Sequence, residues 1–459
     1  MDAAKTKNDL TKKKVDMTQG SIPRRLLSFV IPTFMMFMIQ SLYSMTDMAI
    51  VGHFIGSAGM SAVNVGGLVT NLVLAVINGL GNGSNIYMGQ LIGARKIDNL
   101  SKIIGSMLTG FITLAVCFTV IILIFGRLIL TALSTPPEAL DHAVTYLSIY
   151  MLGTVFVYGY NALSNVYRAL GRSVPILVFI VISVVLNIIL DYLFVGPMNM
   201  GIAGAAVATV LSQLVCFAVS FAHIVHNGVF QPRLIYFKPD RNILKIIFKV
   251  GYPQALQFSL NTFSYLLISG FVNKYGVYAG AAAGAVTRIT QFAVSGAHAF
   301  QAGMVTFTAQ NIVQGKIKRI IRGLLFSLGI SFVMSLLFWI SGRLFPEAIF
   351  NLFTSDQHVI QYGTRFLQIM LAASLAESIM FCLYGTIAGS GHTLYVFFCT
   401  IVAATMVRIL LVWLFESVTD LGFLGIAWAY VCAPCASGLA ALIYILSGKW
   451  TKSPLMKSL

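Results

Sequence analysis

The apolar segments LNIILDYLF (186–194) and VRILLVWLF (407–415) stand 221 residues apart in the chain. The segments that follow them, GIAGAAVAT (201–209) and GFLGIAWAY (422–430), are also alike and are separated by the same interval. Matches at one fixed interval indicate an internal repeat. The sequence therefore predicts a chain built from two copies of one structural unit.

Other positions match at the same interval or at one residue less. The matched positions are Pro32 with Pro253, Gln40 with Asn261, and GQLIGARK (89–96) with AQNIVQGK (309–316). Because these positions lie far from the first four segments, the repeat extends over nearly the whole chain.

The composition indicates an integral membrane protein. Hydrophobic residues make up 58% of the chain and charged residues only 10%, whereas soluble globular chains carry roughly 25% charged residues. Cutting the apolar runs at charged, Gly- or Pro-containing breaks gives twelve segments, each long enough to cross a bilayer as a helix. The predicted spans are 26–51, 60–88, 103–125, 143–167, 175–196, 201–225, 244–272, 280–309, 320–345, 359–388, 393–415 and 421–447.

The distribution of basic residues predicts the orientation of these spans. With the amino terminus inside, 24 of the 30 Lys and Arg residues fall in tails and loops on the cytoplasmic side. The positive-inside rule then places both termini in the cytoplasm. The net charge of +16 is explained by loops that face anionic lipid, so no nucleic-acid partner is expected.

Spans 1–6 and 7–12 form the two predicted copies. Six is an even number, so both copies enter the membrane in the same direction and a pseudo-two-fold axis runs along the membrane normal. We expect an all-α membrane protein of two six-helix lobes, V-shaped with a central cavity. The predicted parts are a basic tail (1–25), an N-lobe (26–226), a cytoplasmic linker (227–243), a C-lobe (244–447) and a second tail (448–459).

Two aspartates lie inside predicted spans at matching depth. Asp47 lies five residues before Gly52 in span 1, and Asp191 lies five residues before Gly196 in span 5. At 1.5 Å per residue, both carboxyl groups lie roughly 7–8 Å from the outer ends of their spans. A carboxylate inside a bilayer is costly, so a functional role is the first expectation.

Further polar side chains are predicted to join this pair. Helical spacing places Gln40 and Tyr43 on the face of Asp47, and Asn187 on the face of Asp191, while Thr209 of span 6 reaches the same layer. Two carboxylates in a low dielectric do not readily ionise together, which suits proton coupling. The same oxygens of Asp47, Asp191 and Asn187 also suit Na⁺, and a structural network that joins three helices is a further alternative.

The repeat assigns this pair to one lobe only. The 221-residue shift places Ile268 at the position of Asp47 and Val412 at that of Asp191. A carboxylate needed only to hold the shared fold together should recur in the second copy. Coupling is therefore expected in the first lobe.

At this point a resemblance to a known family emerges. The segments DMTQGSIPRRLLSFVIPTF (16–34), SLYSMTDMAIVGH (41–53), GQLIGARK (89–96), YRALGR (167–172) and LNIILDY (186–192) resemble the multidrug and toxic compound extrusion family. The resemblance implies a secondary antiporter that exchanges H⁺ or Na⁺ for bulky organic cations by rocking two lobes. It also implies that the Asp47 and Asp191 positions form a cation site. In one branch of the family an acid stands where this chain has Asn261, so a second-lobe Na⁺ site is in doubt.

Away from the ends of its spans, the second lobe has one acid, Glu377, and two basic residues, Arg288 and Arg408. Glu377 is interpreted either as an ion-pair partner of Arg408 or Arg288, or as a group that attracts cationic substrates. Polar side chains within spans are the candidates for lining the substrate cavity. They are Asn64, Asn71, Asn161, Asn165, Gln257, Asn261, Tyr265, Arg288, Gln291 and Glu377.

Other classes of function fit less well. No G-x-x-x-x-G-K-[ST] loop and no H-E-x-x-H motif occurs, so ATP-driven transport and a metalloenzyme are not expected. The main alternative is a flippase of lipid-linked oligosaccharides, whose cavity should be rich in basic residues; a channel fits the two-lobed repeat less well. We expect a monomeric cell-membrane transporter in contact with lipid, without a cofactor.

Overall fold

A computed structural model describes the chain over residues 16–96, 99–133, 135–351, 356–419 and 421–456. The described part is almost entirely helical. Its first six long helices are α1 (Ile22–Ile55), α2 (Ser57–Gly93), α3 (Leu100–Ala132), α4 (Pro137–Ala169), α5 (Val174–Val195) and α6 (Gly201–His226). The next four are α7 (Arg241–Asn273), α8 (Val277–Ile312), α9 (Ile317–Leu344) and α10 (Gln357–Gly389).

The last two long helices complete the set of twelve within the described residues. Helix α11 consists of Thr393–Phe398, π-helical turns over Cys399–Met406, and Val407–Ser417, and α12 is Phe423–Leu446. Short elements lie between or after them: a 3-10 turn at Leu234–Phe237, a helix at Pro346–Asn351 and a 3-10 turn at Lys449–Thr451. The twelve helices coincide with the twelve predicted spans, and the all-α prediction is confirmed.

Helices are the expected form of a chain in hydrocarbon, where each backbone N–H and C=O must find its partner within the protein. Eleven of the described helices are long and apolar enough to cross a membrane. Helix α8 is outside that group, because Gly, Ala and polar residues such as Arg288, Gln291 and His298 make its sequence less apolar. Large apolar side chains such as Ile124 and Leu128 of α3 are about two-thirds exposed, as expected of surfaces that face lipid.

The repeat is visible in the backbone at equivalent turns. Gly201 precedes the bulk of α6 with φ 58°, and Gly422 precedes α12 with φ 51°. These two glycines are one repeat interval apart, and only glycine adopts positive φ without strain. Both copies therefore make the same turn with the same residue type.

The chain forms two compact units. The first contains Met35–Met88 and Arg95–Ala255, and the second contains Met17–Phe34, Gly89–Ala94 and Leu256–Leu459. Two of these boundaries, after Phe34 and after Ala255, fall two residues beyond the repeated prolines 32 and 253. Helices α1 and α7 thus each contribute residues to both units, and the change occurs at equivalent positions of the repeat.

In the first unit, glycines bring α2 and α7 close together. A Cβ added to Gly79 would lie 2.1 Å from the backbone N of Ala255, and one added to Gly83 would lie 2.6 Å from the Cα of Gly251. Small residues one helical turn apart are the usual way for membrane helices to approach closely. The first half of α7 is therefore fixed against α2 by backbone-to-backbone packing.

The segment between α6 and α7 packs on α3 in the same unit. Thr109 donates a hydrogen bond to the carbonyl of Phe237 at 2.8 Å, and a Cβ on Gly105 would meet the carbonyl oxygen of Tyr236 at 2.2 Å. Asp240 accepts from the N–H of Asn242 at 2.9 Å, which caps α7. The predicted linker thus adopts a defined structure.

In the second unit, both chain ends are attached to the helices. The N–H of Met17 donates to Gln310 at 3.1 Å, and Arg319 donates to the carbonyl of Gly20 at 2.8 Å. After α12, Ser453 donates to Oε1 of Gln90 at 2.8 Å. The segment before α1, the end of α2 and the carboxyl-terminal tail are therefore all parts of one packed unit.

The cap of α7 gives a first prediction. Lys102 pairs with Asp240 at 2.7 Å, and together with the N–H groups at the start of α7 it lowers the pKa of Asp240. Asp240→Ala should destabilise the protein by about 1 kcal/mol, the usual value of a helix cap. Because the pKa is lowered in the folded protein, the stabilisation is present above pH of about 4 and is lost as pH falls below that value.

The measurement is the apparent melting temperature of the detergent-purified protein between pH 8 and pH 3. Asp141→Ala is the matched control, because its pair with Arg127 at 3.1 Å is highly exposed and should contribute little. Equal losses for the two variants at pH 7 would contradict the prediction.

Candidate functional site

The site is built on the antiparallel pair α5 and α6 of the first unit. Ser183 donates a hydrogen bond to the carbonyl of Ser212 at 3.3 Å. One turn along α5, Asn187 faces Thr209 of α6, and both side chains are buried. Small hydroxyl and amide side chains at successive turns let the two helices approach and bond across the interface.

Asp191 is held one turn further along α5 and is fully buried. The Asn187 amide satisfies both of its neighbours when its nitrogen donates to Oδ2 of Asp191 at 2.8 Å and its oxygen accepts from the N–H of Thr209 at 3.1 Å. Apart from the Asp47 carboxyl group described below, the second carboxyl oxygen of Asp191, Oδ1, has no hydrogen-bond partner in the described part of the chain. One oxygen is therefore fixed, and the other is available to a proton or a ligand.

Asp47 of α1 faces Asp191, and the two carboxyl groups are close enough to share a hydrogen bond. The ends of the two helices explain this match in depth. Phe54 near the end of α1 contacts the ring of Tyr192 at 6.0 Å between centroids and packs against Gly196. Two carboxyl groups can form a hydrogen bond only if one of them carries a proton.

Two tyrosines complete the surroundings of the carboxyl pair. Tyr43 of α1 lies beside the hydroxyl of Thr209, and its ring is near both aspartates. Tyr146 of α4 is also near both aspartates and stacks on Tyr150. The sequence analysis missed Tyr146. The position of Tyr146 along α4 gives its depth in the membrane, which is a signal that the sequence contains. Helix α4 has several tyrosines, however, and depth alone does not show which of them lies near the aspartates.

The other predicted residues are placed as follows. Gln40 of α1 is exposed and has no hydrogen bond to the carboxyl pair among the described residues. Asn161 and Asn165 donate to backbone carbonyls one turn earlier in α4, both at 2.8 Å, and Oδ1 of Asn165 is buried without a partner. The exposed members of the predicted cavity set are Asn64, Asn71, Tyr265, Arg288 and Gln291; Asn261 and Glu377 are half-buried and Gln257 is buried.

The equivalent place in the second unit is apolar. Ile268 and Val412, at the repeat positions of Asp47 and Asp191, are buried in one hydrophobic cluster with Val286 and Ile426. The same arrangement of helices thus exists without carboxyl groups. The acid pair of the first unit is therefore not required by the fold.

The two alternatives for Glu377 can be compared with the structure. No nitrogen of Arg408 lies within 4.0 Å of a Glu377 oxygen in the part of the chain that is described. The Arg408 guanidinium instead lies over the rings of Tyr430 and Tyr265, at 4.7 and 5.5 Å from their centroids. The predicted ion pair between Glu377 and Arg408 is absent from this structure.

The ligand chemistry of the first-unit site is limited. Across the described ranges, no three His, Cys, Asp or Glu side chains come together as a metal-binding group. The carboxyl pair has the Asn187 amide as a neighbour, and the orientation that satisfies this amide directs its N–H groups toward Asp191. A proton suits two facing carboxyl groups and an N–H donor, whereas Na⁺ prefers oxygen ligands.

The sequence matches a known family over most of its length. The sequence model of the MatE family matches residues 32–193 and again 253–414. The two matches begin at the repeated prolines and are 221 residues apart. The internal repeat is therefore also a repeat of the family pattern.

Relatives and solved structures agree with this match. The chain is 29% identical to the "Probable multidrug resistance protein YpnP" of Bacillus subtilis over 95% of its own length and 98% of the relative. It is 27% identical to the "Multidrug export protein MepA" of Staphylococcus aureus over 93% of this chain and 95% of that one. These relatives span nearly the whole chain.

Two solved structures share the fold. One, described as the outward-facing conformation of a multidrug resistance MATE family transporter of the MOP superfamily, has a TM-score of 0.89 at 22% identity, covering 97% of this chain and 99% of that chain. A MOP superfamily transporter from Pyrococcus furiosus, whose description reports a binding pocket of reverse polarity, has a TM-score of 0.90 at 20% identity, with 96% and 99% covered. At these identities the likeness shows the fold alone.

The contact between Asn187 and Asp191 gives a second prediction. Asn187→Leu leaves a buried carboxyl group without its donor, and a hydrogen bond to a charged group contributes about 1.5–3 kcal/mol. Asn187→Leu should lower the apparent melting temperature, and adding Asp191→Leu should restore part of the loss because the unpaired carboxyl group is gone.

The experiment is a double-mutant cycle on the detergent-purified protein. Asn78→Leu, which replaces an exposed asparagine of α2, is the matched control and should change the melting temperature little. Strictly additive effects of the two substitutions in α5 would show that the bond is absent.

Proposed function

Because the chain belongs to the MatE family of multi-pass membrane transporters, we propose that it exports hydrophobic organic cations in exchange for protons. As a member of a transporter family it is not an enzyme. The names of the relatives concern multidrug resistance and multidrug export, and they support small-molecule drugs as the cargo. The flippase alternative is not favoured by any of these relatives.

The proposal assigns the proton to Asp47 and Asp191. The observation that carries it is the approach of the two carboxyl groups to hydrogen-bonding distance at a buried site where Oδ1 of Asp191 has no other partner. In a low dielectric, two negative charges at such a distance repel strongly, and one proton relieves the repulsion. The pair therefore alternates between a state that holds a proton and a state that attracts one.

Na⁺ is the second candidate for the coupling ion and is less well supported. Its predicted ligands were the oxygens of Asp47, Asp191 and Asn187. In the amide orientation that satisfies both neighbours, the Asn187 oxygen accepts from the N–H of Thr209 and its nitrogen donates to Asp191. Binding of Na⁺ through the Asn187 oxygen would break these two hydrogen bonds, whereas a proton on the carboxyl pair leaves both of them in place.

Coupling follows from linkage between the two ligands. If protonation of the pair favours one state of the transporter and cargo favours the other, each ligand promotes release of the other. In this scheme cationic cargo interacts with polar side chains of the predicted cavity set. The exposed members of that set, Asn64 and Asn71 in the first unit and Gln291 in the second, are accessible to such a ligand.

The setting of this transport is also part of the proposal. We place the protein in the cell membrane as a monomer, with both termini and the segment 227–243 on the cytoplasmic side. The support is the concentration of basic residues in these segments and the attraction of such loops to anionic lipid. Cargo would then be taken from the cytoplasm and protons from outside.

A third prediction tests the ion and the site together. In proteoliposomes, an imposed pH gradient should drive transport of the cationic dye ethidium, and a Na⁺ gradient alone should not. Asp47→Asn and Asp191→Asn should each reduce pH-driven transport by at least about tenfold, since coupling free energies correspond to roughly 5–150-fold effects. The measurement is the initial rate of dye movement.

Glu416→Gln is the matched control, because Glu416 belongs to the second unit and pairs there with Lys274 at 3.2 Å, and its loss should leave the rate unchanged. Transport driven by Na⁺ alone would refute the proton assignment. Undiminished dependence on the pH gradient in Asp191→Asn would refute the site.

A further inference from the structure

Arg408 is a buried cation that forms no ion pair with any residue in the described ranges. It follows the π-helical turns of α11, is only 4% exposed, and occupies the repeat position of Asn187. Asn187, whose amide contacts the carboxyl group of Asp191 in the first unit, is thus replaced in the second unit by a permanently charged arginine. Irregular helical turns next to such a residue are frequent at functional sites.

The guanidinium group is incompletely satisfied. Its Nε and Nη1 atoms are buried and have no hydrogen-bond partner among the residues that the structure describes. Glu377 is near enough for its charge to interact with Arg408, but no ion pair forms between them. Arg408 also lies over the rings of Tyr430 and Tyr265, and the Tyr265 hydroxyl is close enough to form a hydrogen bond with it.

Burial of the Arg408 guanidinium group costs free energy unless a ligand accepts the hydrogen bonds that the protein leaves unmade. Buried polar groups are almost always hydrogen-bonded, and a charge inside a membrane protein is expensive without a partner. Ring faces attract the guanidinium group, and the Tyr265 hydroxyl is close enough to hydrogen-bond with it, but neither contact gives Nε or Nη1 an acceptor. If Arg408 only joined helices, Nε and Nη1 would also be expected to bond to the helices that it joins.

The side chains around Arg408 indicate which kind of ligand would bind to its free donors. A guanidinium group presents parallel N–H donors that match a carboxylate. Tyr265 is 45% exposed, and its ring lies 5.7 Å from that of Tyr430 with the two planes inclined by 30°, so a flat aromatic ring has a surface beside the guanidinium group. The nearby acid Glu377 repels a multiply charged anion more than a single carboxylate.

We propose that Arg408, flanked by Tyr265 and Tyr430, forms a subsite in the second unit for the carboxylate of an aromatic cargo. Its role in carrying cargo rests on the transport function proposed above. The binding of a carboxylate to Arg408 does not depend on that function. The protein would then accept compounds that carry a carboxylate as well as a cationic group, with the cation attracted by Glu377.

The test uses the full-length protein in detergent and two probes of the same shape. We expect 2-naphthoate to bind at least about tenfold more tightly than the neutral 2-naphthamide, because hydrogen bonds to a charged group are the stronger ones. Arg408→Gln should abolish this preference and Arg408→Lys should retain part of it. Isothermal titration calorimetry measures both affinities.

Arg343→Gln is the matched control, since it removes an exposed arginine of α9 in the same unit and should leave the preference intact. If Arg408→Gln does not fold, Tyr265→Leu replaces the exposed ring and should weaken 2-naphthoate binding at least about threefold, a modest aromatic contribution. Unchanged binding in Tyr265→Leu counts against the subsite.

Three results would overturn the proposal. The first is equal affinity of the unmodified protein for both probes, and the second is a preference that survives Arg408→Gln. The third is displacement of 2-naphthoate by inorganic phosphate at equal concentration, which would indicate a phosphate site. Ethidium transport in the same preparation separates the outcomes: its failure refutes the transport function, while the two naphthalene probes alone decide the subsite.

Discussion

Hydrocarbon offers no hydrogen bonds, so every polar group of this chain within the membrane must be satisfied by the chain itself or by a ligand. The twelve helices meet this requirement for the backbone. Asn187 donates a hydrogen bond to one oxygen of Asp191, and its own oxygen accepts one from the N–H of Thr209. The remaining oxygen of Asp191 is left for Asp47 and a proton. The position of α1 beside α5 and the proposed coupling both depend on this single chain of contacts.

The repeat shows which polar groups belong to the fold and which belong to a function. Both copies make the same glycine turn before their sixth helix. In the second copy, however, Ile268 and Val412 fill the place of the carboxyl pair with a hydrophobic cluster. The same arrangement of helices thus forms with apolar side chains at these positions, so the shared fold alone does not account for the aspartates of the first unit. Arg408 is the corresponding departure in the second unit, and its unsatisfied donors are the basis for proposing a ligand there.

Close backbone packing explains how such sites are held in place. Gly79 and Gly83 bring α2 against α7 in the first unit, and in the second unit Gly389 of α10 approaches Val305 of α8, where a Cβ would meet the carbonyl oxygen at 2.4 Å. Membrane helices have little hydrophobic drive to associate, so close contacts of small residues and hydrogen bonds must replace it. Charged side chains can then be positioned on helices that are themselves fixed.

Much of this was determined by the sequence itself. The apolar runs predicted all twelve helices because membrane thickness sets their length, and the repeat and its motifs identified the family. Helical spacing and depth brought Tyr43, Asp47, Asn187 and Asp191 together, since the rise per residue is constant. The sequence could not exclude Gln40, which shares a helix face but is exposed.

The tertiary structure alone decided which neighbours each polar group has. It added Tyr146 from α4, directed the Asn187 amide toward Asp191, and separated Glu377 from Arg408. These outcomes depend on helix rotation and on contacts between segments far apart in the chain. Periodicity along one helix fixes the residues that share a face, but it does not specify what that face meets.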